Sequence, residues 1–190
     1  MNVIEAVFAT HDLLDEAQIG HGFGGALALN YYSEPRFTHD VDVNVFLPWR
    51  DALETVERFA SIGFVALTPA AGWRPISGVR LREPDGNTPI DLFFSIDGEY
   101  RGIAERLQPQ PFGPDKVPLP FLSLEDLVMF KISFGRLKDW TDLDRLVEIG
   151  TPFDLEAVAD RLVALRGPTM HPRIARLRTM AKRARETPAS

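Results

Sequence analysis

Two aspartates at the start of an alternating segment are the residues of this sequence best suited to bind a metal ion. Asp40 and Asp42 border VDVNVFL at positions 41–47. Strict alternation predicts a strand with Val41, Val43, Val45 and Leu47 on the core face and with Asp40, Asp42 and Asn44 together on the other face. Two carboxylates on one face repel each other unless a cation lies between them. Magnesium suits that position because it takes oxygen ligands and keeps open positions for phosphates; a solvated polar face is the alternative.

A third acid, Asp91, lies in a second alternating segment, PIDLFFS. Ile90, Leu92 and Phe94 alternate with it, and a charged residue among such neighbours is expensive to bury without a partner. If this strand lies beside the first, the three carboxylates form a site for two metal ions. Such a site aligns an attacking oxygen and stabilises the charge that develops in phosphoryl-type transfer. The alternative is an aspartate on an exposed strand segment.

A glycine turn precedes the aspartate strand. In FGGALAL, Gly24 and Gly25 stand between a short strand and a short helix, so that backbone N–H groups and the helix dipole point towards an anion. The stretch 20–25 also matches GxGxxG. That dinucleotide fingerprint requires a hydrophobic strand just before it. Here the charged segment LLDEAQ precedes the glycines, which argues against a dinucleotide fold.

The elements that must position these residues are mixed in the first part of the chain and helical in the second. Helices are predicted at 3–17, in ALALNYY and in WRDALETVERFASI up to Gly63, and strands in GFVAL, ISGVRLRE and PIDLFFS. The proline-rich stretch 108–120 predicts a stiff extended connector. Helices are then expected from Ser123, which begins a capping box, from Asp139, and over 154–166 and 170–185. We therefore predict an α+β fold, with a mixed-sheet domain at 1–112 that carries the site and a helical domain at 118–190.

Composition excludes some classes of function and suggests a partner. Cysteine is absent, which excludes disulfides and thiolate metal sites. Without a leader-like segment or a long apolar run, the expectation is a cytoplasmic protein with no membrane partner. The net charge is −6, yet residues 166–190 carry seven Lys or Arg against one acid. A basic tail on an acidic body suggests a polyanionic partner such as RNA, with a solvated helix face or a disordered end as the alternative.

These motifs together resemble a known superfamily. Phe23-Gly24-Gly25, followed by Arg36-Phe37-Thr38-His39-Asp40-Val41-Asp42-Val43, is similar to the signature of the nucleotidyltransferases related to DNA polymerase β. In that signature a Gly-Gly or Gly-Ser turn and a short helix precede Asp-x-Asp on a strand, and a third acid lies on a later strand. The Arg-x-Thr-x-Asp-(Val/Ile)-Asp form, with 14 residues between Gly25 and Asp40, is most similar to the AbiEii-like toxin branch.

A second block supports the same resemblance. Leu127-Val-Met-Phe-Lys131, followed by Arg136-Leu-Lys138-Asp139-Trp-Thr-Asp142, resembles the branch's lysine and Arg-x-x-Asp-x-x-Asp element. Reasoning from the residues leaves several roles open. Lys131 either reaches water or meets an anion, Asp139 and Asp142 fit helix capping, and Arg136 and Lys138 either contact phosphate or face solvent. Arg36 pairs with Asp40, contacts a phosphate or holds the loop, of which the structural role is favoured, and the similarly placed Thr38 has the same alternatives.

The resemblance, which spans roughly residues 18–150, implies a function. It implies magnesium-dependent transfer of a nucleoside monophosphate from a nucleoside triphosphate to an acceptor hydroxyl. It makes Asp40, Asp42 and Asp91 the catalytic metal ligands, and it makes Gly24, Gly25, Lys131, Arg136 and Asp139 the nucleotide-binding residues. Branch members include toxins of toxin–antitoxin or phage-defence systems, some acting on transfer RNA, so that the implied partners are RNA and a cognate antitoxin. An antibiotic-type small-molecule acceptor and a non-catalytic nucleotide-binding or antitoxin-like module are the alternatives.

Overall fold

A computed structural model describes residues 1–74, 78–95 and 102–186. The chain divides into two units. The first contains Met1–Ala28 and Arg36–Leu122, and the second contains Leu29–Pro35 and Ser123–Ser190. The first unit is a mixed sheet with helices and the second is helical, which confirms the predicted α+β class.

The first unit is built on a seven-stranded sheet in the order β3-β4-β5-β2-β1-β7-β6. Its strands are β1 (His21–Phe23), β2 (Val41–Pro48), β3 (Val65–Ala66), β4 (Val79–Arg82), β5 (Ile90–Ser95), β6 (Gln108–Phe112) and β7 (Val117–Phe121). The pairs β2/β5 and β1/β7 are parallel, and the remaining neighbours are antiparallel. β2 and β5 therefore occupy the middle of the sheet, where alternating residues of each strand are fully buried.

Alternation set the buried face as predicted at the three valines, whereas Leu47, which was predicted on the same face, is only partly buried. The valines at 41, 43 and 45 are fully buried, as are Ile90 and Leu92 of the neighbouring strand. Burial of such a side chain stabilises the fold by about 1.5–3 kcal/mol. One face of the central strands is thus fixed in the core, and the polar residues between the valines are directed to the other face.

Four helices accompany this sheet or lead into it: α1 (Val3–Glu16), α2 (Gly25–Leu29), α3 (Ala52–Arg58) and α4 (Ile103–Arg106). α1 begins with a capping box in which Asn2 and Glu5 each accept a hydrogen bond from the other's backbone N–H. The predicted helix before Gly63 is instead a short α-helix between two 3₁₀ turns. Gly63 ends it with a φ of 86°, which glycine adopts without steric penalty.

The proline-rich stretch is not a connector, which corrects the sequence prediction. Residues 108–121 form the β6–β7 hairpin, and β6 is the edge strand of the sheet. Its prolines face one another, Pro109 opposite Pro120 and Pro111 opposite Pro118. Antiparallel partners alternate between hydrogen-bonded and non-hydrogen-bonded pairs, so all four prolines lie in the kind of pair that needs no N–H. The boundary between the units accordingly follows Leu122.

The second unit contains four longer helices: α5 (Leu124–Phe134), α6 (Leu137–Ile149), α7 (Leu155–Arg166) and α8 (His171–Glu186). Ser123 caps α5 by accepting a hydrogen bond from Asp126 N, as its sequence pattern predicted. α6 begins earlier than predicted, because its N-cap is Arg136 and Asp139 lies inside the first turn. No helix in the described ranges has the length and apolarity needed to cross a membrane.

Candidate active site

Strand register brings Asp42 and Asp91 together. The two residues are direct partners in the parallel β2/β5 pair. Direct partners on neighbouring strands project from the same face of a sheet and lie close to each other. Asp40 comes immediately before β2 on the approach to the same pair. Thr38 holds its backbone, with Oγ1 accepting a hydrogen bond from Asp40 N at 3.3 Å.

Arg80 joins the acidic group from the far side of Asp91. It is the partner of Asp91 in the antiparallel β4/β5 pair. Its Nε lies 3.0 Å from Asp91 Oδ1, and its Nη2 lies 3.2 Å from Asp40 Oδ2. One guanidinium therefore links two of the three predicted metal ligands. Sequence reasoning missed Arg80, although its position between the apolar Val79 and Leu81 carried the same alternation that identified Asp91.

The glycine turn lies against Asp42. Gly24 N donates a hydrogen bond to Asp42 O at 2.9 Å. Gly25 has a φ of +57°, and a Cβ at this residue would lie 1.7 Å from Asp42 Oδ2. No side chain larger than hydrogen fits there while Asp42 keeps its position. The turn after β1 and the carboxylate at the start of β2 therefore form one packed arrangement, and α2, which follows, is only five residues long.

The second unit holds Lys131 in a buried ion pair. Lys131 Nζ donates to Asp142 Oδ2 at 2.7 Å, and the two side chains are only 7% and 5% exposed. Asp142 thus meets the lysine rather than a helix N-terminus. A buried charge of this kind is tolerated because its partner satisfies it.

Arg136 and Asp139 form the capping box of α6. Asp139 Oδ2 accepts from the backbone N of Arg136 at 3.0 Å and from its Nε at 2.8 Å. The guanidinium also lies 4.9 Å from the centre of the Phe134 ring. Asp139 was predicted to start this helix; it instead caps the helix from the third position.

The predicted residues fall into two sets, one in each unit. Asp40, Asp42, Asp91, Gly24 and Gly25 belong to the first unit, and Lys131, Arg136 and Asp139 belong to the second.

The acidic set has the donor chemistry of a site for a hard divalent ion. Carboxylate oxygens are the ligands that magnesium prefers, and here their negative charge already attracts one cation, Arg80. Within the described ranges, no three His, Cys, Asp or Glu side chains are arranged as they stand to hold a metal ion. The residue types fit the ion, and in their present arrangement one guanidinium pairs with both Asp40 and Asp91.

The histidines lie in a different part of the first unit. His11 Nδ1 is 2.9 Å from His21 Nε2, and His21 Nδ1 donates to Ile19 O at 3.0 Å. Burial lowers the pKa of His21 from its ordinary value of 6.5, against a smaller raising effect of the Ile19 carbonyl. This histidine pair is part of the packing of β1 against α1.

No model of a known protein family matches the sequence, and no curated protein matches it. Solved structures do match. ANT(2'')-Ia in complex with adenylyl-2''-tobramycin is 13% identical, with a TM-score of 0.52, and the match covers 93% of this chain and 97% of that one. An antigenic nucleotidyltransferase-like protein from Paracoccidioides brasiliensis is 17% identical, with a TM-score of 0.51 and 92% of each chain covered. The lincosamide antibiotic adenylyltransferase LnuA, lincomycin-bound, is 16% identical, with a TM-score of 0.50, and the match covers 77% of this chain and 98% of that one.

At these identities the likeness establishes the fold. The chain has the nucleotidyltransferase fold, a mixed sheet with flanking helices followed by a helical region. The superfamily resemblance predicted from Asp-x-Asp and the glycine turn is supported at the level of fold.

Proposed function

We propose that this protein is a magnesium-dependent nucleotidyltransferase, which moves a nucleoside monophosphate from a nucleoside triphosphate to an acceptor hydroxyl and releases pyrophosphate. The observation that carries the proposal is the register of Asp42 against Asp91, with the Gly25 turn packed on Asp42. Packing that admits no Cβ beside a carboxylate indicates that its position matters. On this fold such a carboxylate pair is the expected centre of phosphoryl-type transfer.

The roles of the residues follow from their placement. Asp40 and Asp42 would hold magnesium on the triphosphate side, and Asp91 would hold the ion near the acceptor and accept the proton of its hydroxyl. Bound magnesium would align the acceptor oxygen and offset the charge on the departing pyrophosphate. The Gly24–Gly25 turn would fix Asp42 and offer its backbone to the phosphates. Lys131, Arg136 and Asp139 are proposed nucleotide-binding residues because of the resemblance of their sequence block.

We propose RNA, including transfer RNA, as the acceptor, within an AbiEii-like toxin that is paired with an antitoxin. The support is the charge of α8, which carries six Lys or Arg and one Glu. Basic helices of this kind bind phosphate backbones. Part of that charge is already engaged, since Arg178 pairs with Glu156, Arg173 donates to the carbonyl of Ile132, and Arg176 lies over the Trp140 ring. The RNA contact would therefore depend mainly on the exposed residues Lys182, Arg183 and Arg185.

A small hydroxyl-bearing antibiotic is the second candidate acceptor. The observation in its favour is the match to two antibiotic-modifying proteins of this fold, ANT(2'')-Ia with adenylyl-2''-tobramycin and LnuA with lincomycin. Both candidates use the same carboxylates, so only the acceptor distinguishes them.

The test is incubation of pure protein with each labelled nucleoside triphosphate and magnesium, in separate reactions with total transfer RNA, an aminoglycoside and a lincosamide. Asp42→Asn removes one charge with little change in shape, and Asp85→Asn, in the exposed turn between β4 and β5, is the matched control. We expect transfer that falls by about 100-fold or more in Asp42→Asn, because positioning is the catalysis, and that is unchanged in Asp85→Asn. Omission of magnesium should abolish it.

The acceptor that receives label decides between the candidates. Label on RNA supports the toxin proposal, and label on either antibiotic supports the second. Magnesium-dependent triphosphate binding by calorimetry, without label on any acceptor, would replace transfer by a nucleotide-binding role. Equal transfer by the wild type and Asp42→Asn would refute the site.

A further inference from the structure

The roles proposed above do not explain the contacts that Arg80 makes in the first unit. Its guanidinium binds Asp91 Oδ1 at 3.0 Å and Asp40 Oδ2 at 3.2 Å, so it bridges two strands of the candidate site. Arginine stays protonated at all physiological pH values, and its planar fork suits two carboxylates at once. Arg80 therefore supplies a permanent positive charge between groups that a divalent ion would also need.

The exposure of this pair differs from that of the structural ion pairs in the second unit. The side chain of Arg80 is 44% exposed, and its partners Asp40 and Asp91 are 36% and 21% exposed. In the second unit the Lys131–Asp142 pair is 7% and 5% exposed, and the carboxylate of Asp126, bound by Arg161, is fully buried. An exposed ion pair contributes little to stability, typically about 0–1 kcal/mol. Release of Arg80 from its carboxylates is therefore inexpensive.

Charge balance favours an exchange of cations. Asp40, Asp42 and Asp91 bring three negative charges to neighbouring positions, and Arg80 pairs with two of these carboxylates. A divalent ion that binds the same oxygens attracts them more strongly, and its own charge repels the guanidinium. After displacement, Arg80 would remain on β4, the strand next to that of Asp91. Its guanidinium would then no longer pair with Asp40 and Asp91. A triphosphate is the natural ligand for such a group, because guanidinium binds phosphate oxygens in a bidentate manner.

We propose that Arg80 is a resident counter-cation of the carboxylate site, which a divalent ion displaces and whose guanidinium then binds the triphosphate. This inference rests on the proposed function. It makes Arg80 a nucleotide-binding residue that is held on Asp40 and Asp91 until the metal arrives. It also explains why the acidic side chains are turned towards an arginine in the present arrangement.

Calorimetric titrations of the wild type, Arg80→Ala and Arg82→Ala with manganese, and then with a non-hydrolysable nucleoside triphosphate in the presence of manganese, test the proposal. Arg82 lies two residues along β4 and is the control for a general loss of positive charge. In Arg80→Ala, manganese without nucleotide should bind about three- to tenfold more tightly, because a competing cation at an exposed site is removed. The triphosphate should bind about tenfold more weakly or worse, because a charge-assisted contact is lost. Arg82→Ala should show neither change, and Arg80→Lys should fall between Arg80→Ala and the wild type.

The opposite changes in affinity, tighter for manganese and weaker for the triphosphate, distinguish this role of Arg80 from a structural one. A residue that only shapes the site would weaken both ligands when removed, together with the thermal midpoint, and that result would overturn the proposal. Unchanged manganese affinity in Arg80→Ala, with normal manganese binding by the wild type, would also overturn it while leaving the proposed function intact. A wild type that binds neither manganese nor triphosphate would refute the proposed function, and this inference with it.

Discussion

Gly25→Ala places one methyl group where the structure has no room for it. The residue has a φ of +57°, in the left-handed region where an L-residue other than glycine costs roughly 1–2 kcal/mol. The new Cβ would lie 1.7 Å from Asp42 Oδ2 and 2.5 Å from Asp42 Cγ. Carbon atoms that are not bonded to each other normally lie about 3.5–4.0 Å apart. The Asp42 side chain must therefore leave its position, or the turn after β1 must move.

Two contributions determine how much Gly25→Ala should lower the free energy of unfolding. The backbone term is the roughly 1–2 kcal/mol above, and an overpacked site adds about 1–3 kcal/mol. The free energy of unfolding should therefore fall by about 2–5 kcal/mol. The transfer rate of the folded fraction should fall by about 100-fold, since a displacement of about 1 Å at a catalytic group has that effect.

Gly150→Ala is the matched control for the backbone term. Gly150 ends α6 with a φ of +76°, and a Cβ there meets nothing within 4 Å. Urea unfolding should therefore show a loss of only about 1–2 kcal/mol for Gly150→Ala, and the difference between the two variants isolates the clash. If Gly25→Ala were as stable as Gly150→Ala and as active as the wild type, the packing of Gly25 on Asp42 would be refuted.

Two further predictions concern stability. Lys131→Met should lower the free energy of unfolding by about 3–5 kcal/mol, because it removes the cation that pairs with the buried Asp142 carboxylate. Urea unfolding measures this loss, and the double variant Lys131→Met/Asp142→Leu should recover stability. A single variant as stable as the wild type would contradict the importance of this buried ion pair. His21 should weaken the fold in acid, because burial lowers its pKa in the folded protein. The unfolded chain then takes up the proton first, so stability should decrease as the pH falls below about 6.5, until the lowered folded pKa is passed. Urea midpoints between pH 8 and pH 5 should show a shallower acid loss for His21→Asn than for the wild type, and parallel curves would contradict the assignment.

Local alternation predicted much of the first unit, because a strand with one buried face carries its structure in its own sequence. VDVNVFL and PIDLFFS both form central strands, in which every second residue of the apolar set is buried: Val41, Val43, Val45, Ile90, Leu92 and Phe94. The pairing of Asp42 with Asp91 was harder to predict from the sequence, because the register between strands far apart in sequence is set by the whole sheet. Arg80 was missed for the same reason, because only the β4/β5 register shows that it meets Asp91.

The hairpin at 108–121 shows where composition misleads. Proline removes a hydrogen-bond donor, so a proline-rich stretch is typical of a connector. Here the prolines recur at a spacing of two within each strand, which lets all of them avoid the donating positions of their shared ladder. The spacing was visible in the sequence, whereas the pairing of one set with the other was not.

The residues of the candidate site come from four neighbouring strands, β4, β5, β2 and β1, or from the turns beside them. β1 runs antiparallel to β2, so the turn after its last residue meets the start of β2, where Gly24 N binds Asp42 O. β5 runs parallel to β2 and brings Asp91 beside Asp42, and β4, antiparallel to β5, adds Arg80. Because these residues meet only when the four strands are paired, ligand binding at the site should stabilise the folded sheet against unfolding. Metal with nucleotide should therefore raise the thermal midpoint of the wild type, by linkage of binding to folding, and should do so far less in Asp42→Asn, which keeps the packing but loses a ligand charge.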